Sequence, residues 1–118
     1  MFFLKNSWGL NSIKETPGKD FVIVKTDTID SIVNQLKIHK INWIKIDVEG
    51  AEYDVLLGAV ETLKQNNLKL IVEVRHKNKE TVSNFLKSLG YTVSTLESYN
   101  TDDKNSSFYN LFAKKQFV

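Results

Sequence analysis

Apolar and polar residues follow two different rhythms along this chain, and each change of rhythm marks an element. Phe21 to Lys25 (FVIVK) is rich in β-formers and short, which predicts a strand. Ile29, Ile32, Val33 and Leu36 then recur at i, i+3, i+4 and i+7, predicting a short amphipathic helix with Thr28 placed to cap it and Asp30 in its first turn. Trp43 to Asp47 (WIKID) reads as the next strand, and Gly50 closes it. Ala51, Val55, Ala59 and Leu63 form one row flanked by Leu56 and Val60, predicting a single helix with a wide apolar face. Glu49, Glu52 and Asp54 near its start and Lys64 near its end match a helix dipole.

Leu68 to Val74 (LKLIVEV) is almost continuously apolar, as expected of a strand covered on both faces. Val82, Phe85, Leu86 and Leu89 mark another helix face, and Gly90 supplies a left-handed stop. Tyr91 to Glu97 and Ser107 to Ala113 read as two strands around a polar loop. The first twenty residues carry turn formers without an apolar period and read as irregular.

This order predicts an α/β fold: a mainly parallel, Rossmann-like sheet with flanking helices and a C-terminal antiparallel hairpin closing one edge. Residues 1–20 form an irregular lead and 21–118 the folded unit, and 118 residues is the length of one domain. In such sheets the functional crevice lies beyond the carboxyl ends of the strands. That rule selects Asp47 to Glu52 and Glu73 to His76.

Sixteen basic against fourteen acidic residues leave a net charge of +2, too balanced for affinity built on neutralising many phosphates. Arg75 is the one arginine, which further weakens forked recognition of nucleic acid. Cysteine is absent, excluding disulfides, thiolate metal sites and a cysteine nucleophile. No apolar run approaches the roughly 20 residues of a membrane span. Met1 to Leu4 is too short for a secretory signal and Lys5 closes it, so the cytoplasm is the expected location.

The stretch Ile44 to Glu52 (IKIDVEGAE) sets Asp47, Glu49 and Glu52 at a strand-to-helix turn. Carboxylates there face free backbone N–H groups and the positive helix end, and so remain ionised while aimed into a crevice. The plainer reading makes Asp47 or Glu49 a helix cap and Glu52 a solvated first-turn acid. Glu73 interrupts an apolar strand, where burial would raise its pKa unless the strand lies near an edge or Lys45 or Arg75 pairs with it. His76 follows as a general base or a solvated loop residue, whereas His39 has no evident partner and is expected at the surface. Asp47, Glu49, Glu73 and His76 also form a possible hard-metal ligand set. Trp43, at the strand entrance and remote from the crevice, is expected to pack in the core.

IKIDVEGAE, followed by Val55 to Ala59 (VLLGA), resembles the central signature of the FkbM-type S-adenosylmethionine-dependent methyltransferases. Thr28-Ile29-Asp30 resembles that family's helix start upstream. Ile71 to Val74 with His76 resembles its next strand, and Leu89-Gly90-Tyr91 its following turn. The resemblance runs from about Phe21 to the end and covers the carboxyl-terminal part of the family domain. It implies a seven-stranded sheet that binds S-adenosylmethionine to methylate a hydroxyl of a sugar, lipid or small molecule. It also implies that Asp47 lies beside the transferred methyl and Glu49 shapes that cofactor crevice, with Glu73 and His76 bordering the acceptor. Asp47 or His76 would take the hydroxyl proton.

Gly9, Gly18, Gly50, Gly58 and Gly90 are scattered, so the family's glycine-rich cofactor loop and the acidic ribose ligand of its next strand are absent. The expectation is therefore an incomplete cofactor pocket, the amino-terminal half lying outside this chain. Two other classes fit the same residues. One is a non-catalytic module whose open sheet edge pairs with a second copy or with a separate amino-terminal half. The other is a small metal-dependent hydrolase using the four candidate ligands.

Overall fold

A computed structural model describes residues 2–4, 21–99, 102 and 107–115. The expected irregular lead contains a strand: β1 (Phe2–Leu4) pairs antiparallel with β2 (Phe21–Ile23), Phe2 opposite Ile23. Residues 5–20 lie outside the described residues. The two strands form a sheet of their own, separate from the main one.

The main sheet has the order β3 (Trp43–Ile46), β4 (Lys69–Arg75), β6 (Phe108–Lys115), β5 (Tyr91–Tyr99). Only β3 and β4 are parallel neighbours; β6 is antiparallel to both β4 and β5. The sheet is therefore mixed rather than mainly parallel. β3, β4 and β5 do share a direction, but β5 leaves a slot beside β4 that the returning β6 fills. Insertion there pairs β6 on both sides, whereas an outer hairpin strand would pair on one side only. The C-terminal hairpin thus closes one edge of the sheet, as expected, with β6 on the inside and β5 outermost.

Burial alternates along β4: Leu70, Val72 and Val74 are fully buried, while Lys69, Ile71, Glu73 and Arg75 are not. The strand is covered completely on one face, not on both. Its buried side chains join Leu56, Leu63 and Leu86 in one core, each such side chain contributing roughly 1.5–3 kcal/mol by leaving water. Trp43 stands outside that core, 55% exposed, its ring 6.1 Å from that of Phe112. It lies on β4's less buried side, opposite Lys69, so the expected core packing fails.

Helix α1 (Ile29–Gln35) begins as its sequence implies, with the Thr28 hydroxyl accepting from Ser31 N–H at 3.1 Å. Lys37 stops it with φ 52, and Ile38 N–H donates to Val33 C=O at 3.0 Å. The single helix expected after Gly50 is two, α2 (Glu52–Leu57) and α3 (Val60–Gln65). The break comes from α1. Asp30 N–H donates to the Gly58 carbonyl at 2.9 Å, and the Asp30 carboxylate accepts from Glu61 N–H, Thr62 N–H and the Thr62 hydroxyl at 3.1, 2.9 and 2.7 Å. Asp30 therefore caps α3 across space, and a Cβ on Gly58 would crowd Thr28 at 3.1 Å.

A 3₁₀ turn (His76–Asn78) leads into α4 (Lys79–Ser88), which packs beside β4 and β5 before Gly90 turns the chain at φ 88. The Tyr91 hydroxyl donates to Leu63 C=O at 2.8 Å, and burial pushes its pKa up to about 12. No described helix is long and apolar enough to cross a membrane.

Candidate active site

Parallel pairing sets Ile46 beside Val72, so the next residues, Asp47 and Glu73, emerge together at the carboxyl ends of β3 and β4. Beyond Asp47 the chain passes through two left-handed positions, Glu49 at φ 48 and Gly50 at φ 102. Glycine accepts that conformation, whereas a side-chain-bearing residue pays about 1–2 kcal/mol for it. Several contacts hold the turn nonetheless. Arg75 pairs with Glu49 at 2.5 Å, and Gly50 N–H donates to Glu52 Oε1 at 2.9 Å. Asn78 Nδ2 donates to Gly50 C=O at 3.3 Å and to Glu52 Oε2 at 3.2 Å.

Glu52 is 1% exposed, so it is a buried structural carboxylate rather than a solvated first-turn acid. Ala51 occupies the cap position of α2 and no side chain caps that helix, so neither Asp47 nor Glu49 serves there. Arg75 pairs with Glu49, not with Glu73. Sequence reasoning did not select Asn78, and nothing in its local spacing points to residues 26 and 28 positions earlier.

The carboxylates of Asp47, Glu49 and Glu73 converge, with one oxygen of each within 4.8 Å of the others. With Glu52, Arg75 and Phe108 they line a pocket of ≈ 230 Å³. Burial raises the pKa of Glu73 above its ordinary 4.5; the Asp47 charge, a hydrogen bond with Asp47 and the Glu49 charge raise it further, and Lys45 offsets part of this. Glu73 therefore holds its proton more firmly than a solvated glutamate, and its carboxyl group shares a hydrogen bond with Asp47.

His76 does not line this pocket. Its Nδ1 lies 3.2 Å from the Tyr109 hydroxyl, and it lines a second depression of ≈ 420 Å³ with Lys77, Lys79 and Glu80. Lys79 Nζ sits 4.0 Å from the centre of the Tyr109 ring. Three of the four candidate residues thus share one pocket, and the four-ligand metal set is not assembled. His39 is exposed, as expected.

The sequence model of one family, the Methyltransferase FkbM domain, matches residues 4–93. This chain belongs to that family. The match begins before Phe21, contains Asp47, Glu49, Glu73 and His76, and stops short of β6. The AMB antimetabolite synthetase AmbE of Pseudomonas aeruginosa is 30% identical over 73 residues, which cover 56% of this chain and 3% of that protein. The matched segment is thus a small part of this relative's length. No solved structure matches. Membership of the FkbM family assigns the chain to the methyltransferases and places the pocket's carboxylates, though not Phe108, inside the family segment.

Proposed function

We propose that the pocket at Asp47 and Glu73 is the methyl-transfer site of an S-adenosylmethionine-dependent O-methyltransferase acting on a hydroxyl of a sugar, lipid or small molecule. The observation that carries this is the meeting of these two side chains at the ends of adjacent parallel strands, within the FkbM segment. S-adenosylmethionine, when bound, supplies an electrophilic methyl on a positively charged sulfur. Oxygen donors suit that charge, and Asp47 with Glu49 would hold the cationic end. At ≈ 230 Å³ the pocket is smaller than the roughly 300 Å³ at which small-molecule sites begin, so it fits the reacting end rather than a whole nucleoside. The adenosyl end would be held by residues outside this chain, on strands that pair with the outer edge of β3.

Asp47 is the base in this reading, because His76 faces another depression. The acceptor hydroxyl approaches in line with the methyl and passes its proton to Asp47. Glu73, hydrogen-bonded to Asp47, fixes that side chain's orientation while other lone pairs stay available. Arg75 restrains Glu49 and limits the negative charge facing the acceptor.

Titrating the chain with S-adenosylmethionine and separately with S-adenosylhomocysteine, which lacks the sulfonium charge, tests the reading. The cationic ligand binds more tightly, and Asp47→Asn narrows the difference. Equal affinity for both, or a difference untouched by Asp47→Asn, overturns it.

A further inference from the structure

The end of the molecule remote from the carboxylate pocket has the opposite character. β4 is seven residues long, which separates Lys69 from the Glu73–Arg75 end by roughly 13–20 Å. Trp43 pairs with Lys69, and Lys69 with Lys114, so these three residues mark the far end of three neighbouring strands. A depression there is lined by Lys40, Trp43, Lys69, Lys114 and Lys115, and a second by Val33, Lys37 and Ile38. His39, Gln65 and Asn66 line both, so the two form one continuous surface.

Segments 31–44, 62–70 and 111–115, which build this end, contain six lysines and no Asp or Glu. Between the lysines stand apolar side chains in contact with water: Leu36 is 67% exposed, Trp43 55% and Ile38 41%. The stop of α1 contributes directly, because Lys37 occupies a left-handed position where glycine is the usual residue. A lysine in that conformation carries a backbone cost of about 1–2 kcal/mol.

We infer that this end docks on the surface of an anionic lipid bilayer. Lysine clusters draw a protein to anionic headgroups through charge alone, and tryptophan settles at headgroup depth. Single-stranded nucleic-acid recognition stacks bases on aromatic rings and favours arginine forks, whereas this surface offers lysines with exposed leucine and isoleucine. Aliphatic side chains among lysines match hydrocarbon beneath a layer of negative charge. Lys69 Nζ lies 5.2 Å from the centre of the Trp43 ring, beside the indole that would enter the interface. The inference does not depend on methyl transfer, and docking by this end leaves the carboxylate pocket facing away from the bilayer.

Co-sedimentation with phosphatidylcholine vesicles containing about one-third phosphatidylserine, compared with phosphatidylcholine alone, tests it. The chain binds the anionic vesicles, releases as salt rises, and ignores the neutral ones. At about fivefold per lysine, Lys69→Gln with Lys114→Gln lowers partitioning roughly 25-fold in protein whose circular dichroism is unchanged. In a Trp8→Phe background, Trp43 emission shifts to the blue on binding, and Trp43→Ala weakens partitioning. Absence of binding, equal binding to neutral vesicles, or full binding by the folded double variant overturns the inference. Tighter binding to a single-stranded oligonucleotide than to the anionic vesicles also overturns it, in favour of nucleic acid.

Discussion

Asp47 and Glu73 meet across two parallel strands, and burial together with the neighbouring Asp47 raises the pKa of Glu73 above its ordinary 4.5. The pair has a consequence for stability. Glu73 binds its proton more tightly folded than unfolded, so its favourable contribution is complete below pH 4.5, where both states are protonated. As pH rises from 4.5 through the raised folded value, the unfolded chain releases the proton first and stability falls. Glu73→Gln cannot lose a proton and keeps a donor for Asp47. Its melting temperature relative to the parent therefore climbs between pH 4 and neutrality, as calorimetry at several pH values will show; a flat difference contradicts the assignment.

Asp30 joins two helices through one carboxylate. Asp30→Ala should cost about 1–2 kcal/mol in urea unfolding, the upper range for a lost cap. Burial alone would raise the pKa of Asp30, but the hydrogen bonds from Thr62 and Glu61 outweigh it and hold the group below 3.8. Its stabilisation is thus present above pH 3.8 and is lost as pH falls through the lowered folded value. Thr62→Val and Asp30→Ala act on the same bonds, so the double variant loses less than the two single losses added together.

The Glu49–Gly50 turn depends on a partner from another element. Asn78→Ala leaves the buried Glu52 short of a donor and should cost about 1–3 kcal/mol. Asn78→Asp should be worse at neutral pH than in acid, because it sets a second carboxylate against Glu52. Gly50→Ala meets nothing within 4 Å, so its cost of about 1–2 kcal/mol comes from the backbone alone. Chemical denaturation of the three variants separates these effects.

Where the deciding contact is local, the sequence announces it. Thr28 caps the helix that begins one residue later, Gly90 ends α4, and the apolar run before Glu73 is a strand. Where the partner is distant, the sequence is silent. Ala51 to Leu63 has the period of one helix, and the contacts that cap its second half at the Gly58 break come from Asp30, about 30 residues away. Glu52 looks solvated until Asn78 and Gly50 N–H are brought to it. Alternating strands and helices show that β6 returns, but not that it enters beside β4. His76 follows Arg75 directly yet leaves the pocket, because the chain turns into a 3₁₀ coil at that residue.

Backbone amide shifts of the ¹⁵N-labelled chain during addition of S-adenosylmethionine test the central claim most directly. The account predicts weak, saturable shifts confined to residues 47–52 and 73–75, abolished by Asp47→Asn and absent from the lysine-rich end. Shifts centred elsewhere, or none at the carboxylate pocket, would contradict it.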